Sequence, residues 1–356
     1  MKKLNLAIIG QGRSGRNIHG KYFKSEANTL FNVKYVVEMD AARRARAEEE
    51  YPGCVTLSDY RQLFDKTDID VVINSSYSDM HYPITKDLLA HGYNVVVEKP
   101  FARNYFECAD LMQTAKENGV MLAVFQQSFM APYYRKSLEV AKSGIIGDIL
   151  QISIRFNGFA RRWDWQTLQE RLGGGVYNTG PHPIGLALGF MDFAEDARVI
   201  YSKLGTGLTS GDANDYAKIL MTAKGYPVVD VEISSMDAYS NYNIKLQGTR
   251  GTYRTTTRSY EMKYIVEGES PEHPVIRESL QDENGLPIYC KDDAIIHNEK
   301  GEHAGDAFNT AVQDYYQMIY DRLTVGKPLE LDPADMAKIV SVMEAVHAAN
   351  PLPKKY

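Results

Sequence analysis

A short apolar segment followed by three spaced glycines stands near the start of the chain and constrains its fold more than any other feature. Residues 4–9 have the apolar character of a buried strand, and the sequence G-Q-G-R-S-G follows at residues 10–15. Gly10 permits a tight turn, Gly12 lets a diphosphate approach the backbone, and Gly15 lets the next helix pack close to the strand. Because the motif directly follows a strand, we predict a dinucleotide-binding turn rather than a glycine-rich loop without a ligand. Its residues are Gly10, Gln11, Gly12, Arg13, Ser14 and Gly15.

The acidic residue at the end of the second strand indicates which cofactor the turn would bind. Residues 32–37 have strand character, and Glu38 follows them, 23 positions after Gly15. A carboxylate there accepts hydrogen bonds from ribose hydroxyls and repels a 2′-phosphate, so NAD is favoured over NADP. Two alternatives remain open: Glu38 caps an exposed strand end, or Arg43 or Arg44 admits a phosphate.

Strands alternate with helices along the first third of the chain, which is typical of a doubly wound parallel sheet. We predict an α/β fold with an N-terminal Rossmann domain over residues 1–125 and a ligand at the carboxyl ends of its strands. The further predicted strands are 55–57, 70–73, 94–97 and 121–125. The predicted helices are 13–25, 41–50, one that ends near His91 and Gly92, and 104–118.

A different pattern follows, with consecutive strands joined by short turns. It predicts a C-terminal α+β domain over residues 126–356, built on a largely antiparallel open sheet. The predicted strands are 150–156, 199–204, 216–222, 228–234, 243–247 and 251–255. Helices are predicted over 131–143, 306–324 and 333–349, and 265–305 is predicted to be polar and irregular.

Charge and cysteine content exclude several classes of partner. The 356 residues carry a formal net charge of −6 without a basic run, so neither nucleic acid nor a membrane surface is expected as a partner. The three cysteines, Cys54, Cys108 and Cys290, show neither metal-ligand spacing nor a disulfide pattern, so no metal is expected. Without a leader or an apolar run long enough to span a membrane, a cytoplasmic protein is expected.

Four motifs together resemble one family of enzymes. They are G-Q-G-R-S-G at 10–15, S-Y-S-D-M-H at 76–81, E-K-P at 98–100 and G-G-G-V-Y-N-T-G-P-H at 173–182. Over essentially the whole chain the sequence resembles the Gfo/Idh/MocA family of NAD(P)-dependent oxidoreductases. The resemblance implies hydride transfer at the nicotinamide, an open second sheet that covers the cofactor and makes subunit contacts, and therefore a homodimer or homotetramer.

The resemblance also implies roles for residues at the ends of the first sheet's strands. Lys99 matches the family lysine that contacts both nicotinamide and substrate. A lysine beside a cationic ring has its ammonium form disfavoured, which makes Lys99 a proton partner near neutral pH. The other residues expected near the cofactor are Ser75, Ser76, His81, Glu98 and Gln126.

Asn178 and His182 form the other half of the predicted catalytic site. They are four residues apart, so on one helix they would share a face, and the first could orient the second. The family usually has aspartate at position 178, and the missing charge is expected to lower the pKa of His182 by about one unit or more. Pro181 and Pro183 indicate a helix that is kinked or begins later than the spacing suggests. A hydrogen-bonded core histidine is the alternative for His182.

Both tryptophans lie just before this motif, in R-R-W-D-W at 161–165. Indole faces pack against sugar or cyclitol rings, and arginine hydrogen-bonds hydroxyls, although an aromatic core or subunit contact explains the pair equally well. The predicted substrate-binding residues are Lys99, Gln127, Arg161, Arg162, Trp163, Trp165, Tyr177 and His182.

These features predict an NAD-dependent dehydrogenase that acts on a secondary hydroxyl of a sugar, glycoside or cyclitol. Two alternatives stay open. The first is a redox-neutral glycosidase that uses NAD transiently through a 3-keto sugar, with Tyr177 as a possible second base. The second is a non-catalytic, cofactor-sensing regulator, against which the joint presence of Lys99 and His182 counts.

Overall fold

The structure is a computed structural model that describes residues 2–356, and its first sheet consists of six parallel strands in the order β3-β2-β1-β4-β5-β6. Their central residues, such as Ile8, Val72 and Val96, are fully buried, as expected for a sheet covered on both faces. The strand order reverses between β1 and β4, where ligands of doubly wound sheets bind. The strands are β1 (Leu4–Ile9), β2 (Phe31–Val37), β3 (Val55–Leu57), β4 (Val71–Asn74), β5 (Val95–Glu98) and β6 (Leu122–Phe125).

Helices connect these strands on both faces of the sheet. The helix after the glycine turn is π-helical over Arg13–His19 and continues as α1 (Gly20–Phe23), so it ends slightly earlier than predicted. Asp40 and Asn104 cap the next helices by accepting hydrogen bonds from backbone amides three residues on. The helices are α2 (Ala41–Glu50), α3 (His81–Ala90) and α4 (Tyr105–Glu117).

The second sheet has eight strands in the order β14-β13-β12-β11-β7-β10-β9-β8. All neighbours pair antiparallel except β7 and β10, which confirms the predicted largely antiparallel sheet. The strands are β7 (Ile149–Asn157), β8 (Arg198–Gly205), β9 (Tyr216–Thr222), β10 (Val228–Ser234), β11 (Ile244–Gly248), β12 (Gly251–Thr255), β13 (Ser259–Ile265) and β14 (Ile296–Glu302).

Strand β14 corrects part of the expectation of an irregular segment over 265–305, whereas residues 266–295 contain no helix or strand, as expected. β13 and β14 pair in register from Ser259 opposite Glu302 to Ile265 opposite Ile296. The sequence of β14, I-H-N-E-K-G-E, has almost no apolar alternation because it is an edge strand that leaves every other residue exposed. Its polar composition therefore concealed the strand.

Five helices complete the chain, and the last two return to the first sheet. They are α5 (Pro132–Ser143), α6 (Gly175–Asn178), α7 (Pro181–Phe190), α8 (Ala307–Val325) and α9 (Pro333–Ala349). Tyr315 of α8 donates a hydrogen bond to the Val124 carbonyl, and Glu344 of α9 accepts one from the Tyr105 amide. These two contacts join the C-terminal helices to β6 and to the start of α4 in the first domain. Within residues 2–356, no helix has the length and apolar content to cross a membrane.

Candidate active site

The glycine turn has the shape that its sequence predicts. Gly10 adopts a φ of +90°, and a Cβ atom on Gly15 would lie 1.8 Å from the Gly10 carbonyl oxygen. A Cβ atom on Gly12 would instead meet nothing within 4 Å, so this glycine lines open space. The helix that begins at Arg13 directs its first amide groups towards that space, and these have no acceptor within the helix. The turn therefore fits a diphosphate.

Glu38 is buried beside the turn and holds its shape. One carboxylate oxygen accepts a hydrogen bond from the Gln11 amide at 2.8 Å, and the other accepts one from the Asp40 amide at 3.0 Å. Arg44 is engaged with the backbone carbonyls of residues 38 and 39, whereas Arg43 lies 3.7 Å from the Glu38 carboxylate and is partly exposed. The Glu38 charge is thus fixed at the strand end where a ribose would bind.

His81 contacts the loop of Lys99 and Pro100 that follows β5, called the lysine loop below. Its side chain is 2% exposed, with Nδ1 2.7 Å from the Pro100 carbonyl and Nε2 3.3 Å from the Ser76 carbonyl. Burial lowers the pKa of His81, and the carbonyl contacts and the charge of Glu98 only partly oppose this. Both ring nitrogens face backbone carbonyls, so the structure places His81 in a supporting position for the Ser76 and Pro100 loops.

Lys99 lies at the end of β5, and its amino group donates a 2.7 Å hydrogen bond to the backbone carbonyl of Asn178. That carbonyl is the last in α6, where helical carbonyls have no intrahelical partner and carry partial negative charge. Burial lowers the pKa of Lys99, with Arg13 and Arg162 adding to the effect and Glu98 opposing it. The amino group can therefore exchange a proton closer to neutrality than an exposed lysine can.

His182 lies in the first turn of α7, half-buried against the ring of Phe156. Its Nδ1 is 3.2 Å from the Ser128 hydroxyl. Burial and the neighbouring charge of Lys99 lower its pKa to about 3, while Glu98 acts in the opposite direction. The imidazole is therefore neutral at physiological pH and suited to hydrogen bonding rather than to taking up a proton.

The predicted orientation of His182 by Asn178 is not present. The chain bends between α6 and α7, and the Asn178 side chain pairs with Gln166, whose Nε2 is 3.0 Å from Asn178 Oδ1. Pro181 begins α7, which agrees with the expected late start of the helix. The amide of a first helical residue has no acceptor within the helix, so a proline there loses no hydrogen bond. Asn178 contributes its backbone carbonyl to Lys99, and Ser128 takes the contact with His182.

The two glutamines after β6 are buried, and each has a side-chain oxygen without a hydrogen-bond partner among the described residues. Gln126 donates through Nε2 to the Pro181 carbonyl, which fixes its amide so that Oε1 is the free atom. Buried polar atoms are almost always satisfied. The free oxygens of Gln126 and Gln127 are therefore suited to accept hydrogen bonds from a bound molecule.

The residues predicted from the R-R-W-D-W motif differ in their contacts and exposure. Arg162 forms a two-pronged ion pair with Asp164, at 2.7 and 2.9 Å, and Arg161 is exposed. Trp165 packs edge-on against Tyr77 with ring centroids 5.0 Å apart, whereas Trp163 is 75% exposed. Of the two tryptophans, Trp165 is therefore packed against a neighbouring ring, and Trp163 is exposed to solvent.

Tyr177 lies apart from the Lys99 and His182 side chains. Its ring stacks on His347 of α9 at 4.5 Å, and its hydroxyl faces the Arg103 carbonyl at 3.5 Å. Burial raises the pKa of this hydroxyl. The contacts of Tyr177 therefore favour a packing role and offer no support for its use as a second base.

Several residues of the site have only weak sequence signals. Ser128 contacts His182, Gln166 pairs with Asn178, and Asn214 packs against the turn at Gly174. His19 contacts Glu98. In the sequence, the position of His19 four residues after Gly15 is a weak indication of a role near the cofactor. Their partners lie far away in sequence, so local pattern alone does not reveal them.

Comparison with known proteins agrees with this architecture. The family model described as oxidoreductase family, NAD-binding Rossmann fold, matches residues 4–126, and that of the GFO/IDH/MocA C-terminal domain matches residues 134–254. The chain belongs to the Gfo/Idh/MocA family. Its first domain is thus of the NAD(P)-binding Rossmann type, as the glycine turn predicts.

Individual relatives are distant in sequence. A 2,7-anhydro-N-acetylneuraminate hydratase from Mediterraneibacter gnavus is 25% identical over 313 residues, covering 85% of this chain and 81% of the relative. The NADP-dependent scyllo-inositol 2-dehydrogenase of Bacillus subtilis is 20% identical and covers 96% and 92%. The structure of KijD10, a 3-ketoreductase from Actinomadura kijaniata in complex with NADP and TDP-benzene, superposes with a TM-score of 0.79 at 16% identity, covering 98% of both chains. This Gfo/Idh/MocA chain thus shares its whole fold with that reductase.

Proposed function

We propose that this protein is an NAD-dependent oxidoreductase that acts on a secondary hydroxyl of a sugar, glycoside or cyclitol. The observation that carries the proposal is the joint placement of Lys99 and His182, two bases with lowered pKa values, beside the switch point of a dinucleotide-binding sheet. The inositol dehydrogenase among similar proteins supports a cyclitol substrate, and the 3-ketoreductase supports exchange between a hydroxyl and a ketone. A cofactor sensor would need the glycine turn but no such pair.

The proposed chemistry assigns separate tasks to the chain's own residues. A bound nicotinamide supplies the hydride acceptor or donor. Lys99 takes the hydroxyl proton during oxidation and returns it during reduction, because its pKa is lowered by burial and by basic neighbours. Neutral His182 hydrogen-bonds the same oxygen and lets Lys99 be the group that changes charge. The free oxygens of Gln126 and Gln127 accept hydrogen bonds from the cofactor and substrate.

The proposed preference for NAD rests on Glu38 and departs from the NADP-dependent inositol dehydrogenase and the NADP-bound reductase. The Glu38 carboxylate is buried and held by two backbone amides, so it cannot easily turn away from a 2′-phosphate. Arg43 is close enough to accommodate such a phosphate only by leaving this carboxylate. A charge fixed in this way disfavours NADP.

A panel of sugars, glycosides and inositols tests the proposal directly. Each would be incubated with NAD or with NADP while the absorbance of the reduced nicotinamide is followed. We expect turnover with at least one polyol and a preference for NAD. If no polyol supports turnover with either cofactor, the dehydrogenase proposal is wrong.

The hydratase relative favours a second candidate, a redox-neutral enzyme of the same site. Oxidation of a sugar hydroxyl at C3 acidifies the C2 proton, a base removes that proton, and the C1 substituent leaves. Water then adds and the ketone is reduced again, so no net oxidation remains. With Tyr177 stacked on His347, the base would have to be Lys99 or His182.

An aryl glycoside with a catalytic amount of NAD distinguishes the two candidates. Aglycone release and reduced cofactor would be followed together in one cuvette. Release of aglycone without accumulation of NADH supports the redox-neutral enzyme. Stoichiometric NADH with a stable keto-glycoside supports the dehydrogenase for that substrate.

We also propose that the outer face of the second sheet joins subunits into a homodimer or homotetramer. That face carries a compact ionic network in which Asp230 binds both Arg155 and Lys218, and Lys218 also contacts Glu232. Charge reversal by Asp230→Lys should shift the sedimentation coefficient towards that of the monomer. A single monomeric species in the unsubstituted protein would contradict the proposal.

A further inference from the structure

Three buried polar side chains form a chain of hydrogen bonds directly behind the lysine loop. Nδ1 of His19 lies 2.6 Å from the Tyr316 hydroxyl, and Nε2 lies 3.1 Å from a carboxylate oxygen of Glu98. The second oxygen of Glu98 accepts a 3.0 Å hydrogen bond from the backbone amide of Lys99. His19 and Tyr316 are fully buried and Glu98 is 3% exposed. The chain therefore connects α8, the helix after the glycine turn and the end of β5.

The Glu98 carboxylate determines the direction of the hydrogen bonds in this chain when His19 is neutral. An ionised carboxylate only accepts hydrogen bonds, so Nε2 of His19 must carry a proton and donate it to Glu98. Nδ1 of a neutral imidazole then accepts, and the Tyr316 hydroxyl donates to it. Burial raises the pKa of Tyr316 well above its usual value, so this hydroxyl keeps its proton. The Glu98 carboxylate thereby selects the tautomer of His19, and the Tyr316 hydroxyl satisfies the ring nitrogen on the other side.

This arrangement keeps a buried carboxylate charged. Burial alone would raise the pKa of Glu98, but the His19 hydrogen bond, and the positive charges of His19, Lys99 and His81 when they are protonated, lower it to about 2. The titratable groups that face Glu98 are His19, His81, Lys99, Tyr315 and Tyr316. Of the groups that face Lys99, Arg13, Arg162 and His182 are basic, and Glu98 is the acidic one.

We propose that Tyr316 and His19 are positioning residues that hold the Glu98 carboxylate in place beside Lys99, so that a helix of the second domain fixes the position of the charge next to the proton-transfer group. The inference rests on the proposed proton-transfer role of Lys99. The carboxylate partly restores the proton affinity that burial and basic neighbours remove from the lysine. Without the Tyr316 hydroxyl, Nδ1 of His19 loses its buried partner, so the imidazole holds the Glu98 carboxylate less firmly beside Lys99.

The first test compares two adjacent tyrosines. Tyr316→Phe removes one buried hydroxyl while keeping the ring that stacks on Tyr22 at 5.1 Å. Tyr315→Phe is the matched control, since its equally buried hydroxyl donates to the Val124 carbonyl at 2.8 Å and does not contact His19. In polyol oxidation the rate rises with pH as Lys99 loses its proton. We expect Tyr316→Phe to move this rise to lower pH by up to about half a unit, because the carboxylate stays charged but is held less firmly, and Tyr315→Phe to leave it in place.

The second test alters the other links of the chain. Glu98→Gln keeps the shape but removes the charge, so the same rise should move to lower pH by about one unit or more. His19→Gln keeps an N–H that can donate to Glu98 and should retain most of the profile, whereas His19→Leu should shift it. Because His19→Leu leaves a buried carboxylate without its donor and can unfold, the conclusion depends on Tyr316→Phe and Glu98→Gln.

Two further measurements separate the possible failures. Unfolding by urea and titration with NADH are recorded for every variant. The inference is overturned if Tyr316→Phe and Glu98→Gln lose stability or cofactor affinity while the pH profile stays in place, because the chain would then be purely structural. If Lys99→Ala keeps both the turnover and the pH profile, the proposed function fails instead.

Discussion

The two sides of the candidate site differ in what builds them. The cofactor side is made of backbone, with the glycine turn, the amides of the helix at Arg13 and the strand ends held by Glu38 and His81. The substrate side is made of side chains that follow β5 and β6 or lie on loops and short helices between 157 and 182, where neighbours in sequence separate in space. Local sequence patterns determine the first side, whereas long-range contacts determine the second. Effects of substitution should therefore differ in kind between the two.

Replacement of the lysine should give the largest effect and should be confined to chemistry. We expect Lys99→Ala to lower turnover by at least about 10²-fold, the contribution of a positioned acid or base. Lys99→Arg, which keeps the charge but cannot give up a proton, should be impaired to a similar extent. NAD titration should show cofactor binding nearly unchanged in both variants. An undiminished rate in Lys99→Ala would remove this residue from the mechanism.

Two glycines of the same turn should respond in opposite ways. Gly15→Ala places a methyl group 1.8 Å from the Gly10 carbonyl oxygen, and we expect it to lower the free energy of unfolding by about 3 kcal/mol. Gly12→Ala meets nothing within 4 Å, so stability should change by less than about 0.5 kcal/mol while NAD affinity falls. Urea unfolding and NAD titration decide the matter. Equal losses of stability in both variants would mean that Gly12 does not line the cofactor space.

This contrast shows how far the sequence alone can predict the molecule. The parallel sheet and its turn were predictable, because alternating apolar segments and the spacing of three glycines are local signals. The edge strand β14 was not, since its exposed, polar residues resemble a loop. The same limit applies to the contact between Ser128 and His182, because these two residues are 54 positions apart in the sequence. The four-residue spacing predicted Asn178 as the partner of His182 on one continuous helix. That helix is interrupted before Pro181, so the two side chains do not share a face.

The lowered pKa of the half-buried His182 imidazole predicts a pH dependence of stability. The pKa of His182 is about 3 in the folded protein, compared with about 6.5 when exposed. Below pH 6.5 the unfolded chain binds a proton that the folded chain does not, so the free energy of unfolding falls as pH falls from 6.5 towards 3. We expect up to about 1 kcal/mol per pH unit from this residue.

Urea unfolding of His182→Asn at pH 7.5, 6 and 5 measures that contribution. The variant should show a weaker loss of stability on acidification than the unsubstituted protein does. His273→Asn is the control, because His273 is exposed beside Asp293 and its pKa is raised, so its replacement should not weaken the acid dependence. An identical dependence in His182→Asn would show that the imidazole is hydrated and free to titrate.

Substitution of Glu38 tests whether the cofactor side discriminates by charge as well as by shape. Glu38→Ala should weaken NAD binding by about tenfold, and NADP binding less, because a hydrogen-bonding carboxylate and a phosphate-repelling charge disappear together. Glu38→Gln keeps an acceptor for one of the two backbone amides. It should therefore reduce the difference between NAD and NADP affinity with a smaller loss of NAD affinity than Glu38→Ala. Both cofactors would be titrated against all three proteins. Tighter NADP than NAD binding in the unsubstituted protein would refute the assignment.

The two tryptophans on the substrate side should give the smallest effects, and they allow an exposed ring to be compared directly with a packed one. Trp163 is 75% exposed, so Trp163→Ala should leave the free energy of unfolding within about 0.5 kcal/mol. Trp165 packs edge-on against Tyr77, so Trp165→Ala should cost about 1 kcal/mol of stability. If the free indole stacks on a sugar ring, Trp163→Ala raises KM by about threefold to tenfold at unchanged kcat, since only binding is lost. If Trp163 is a subunit contact, KM stays constant and the sedimentation coefficient falls instead, which would remove it from the substrate site.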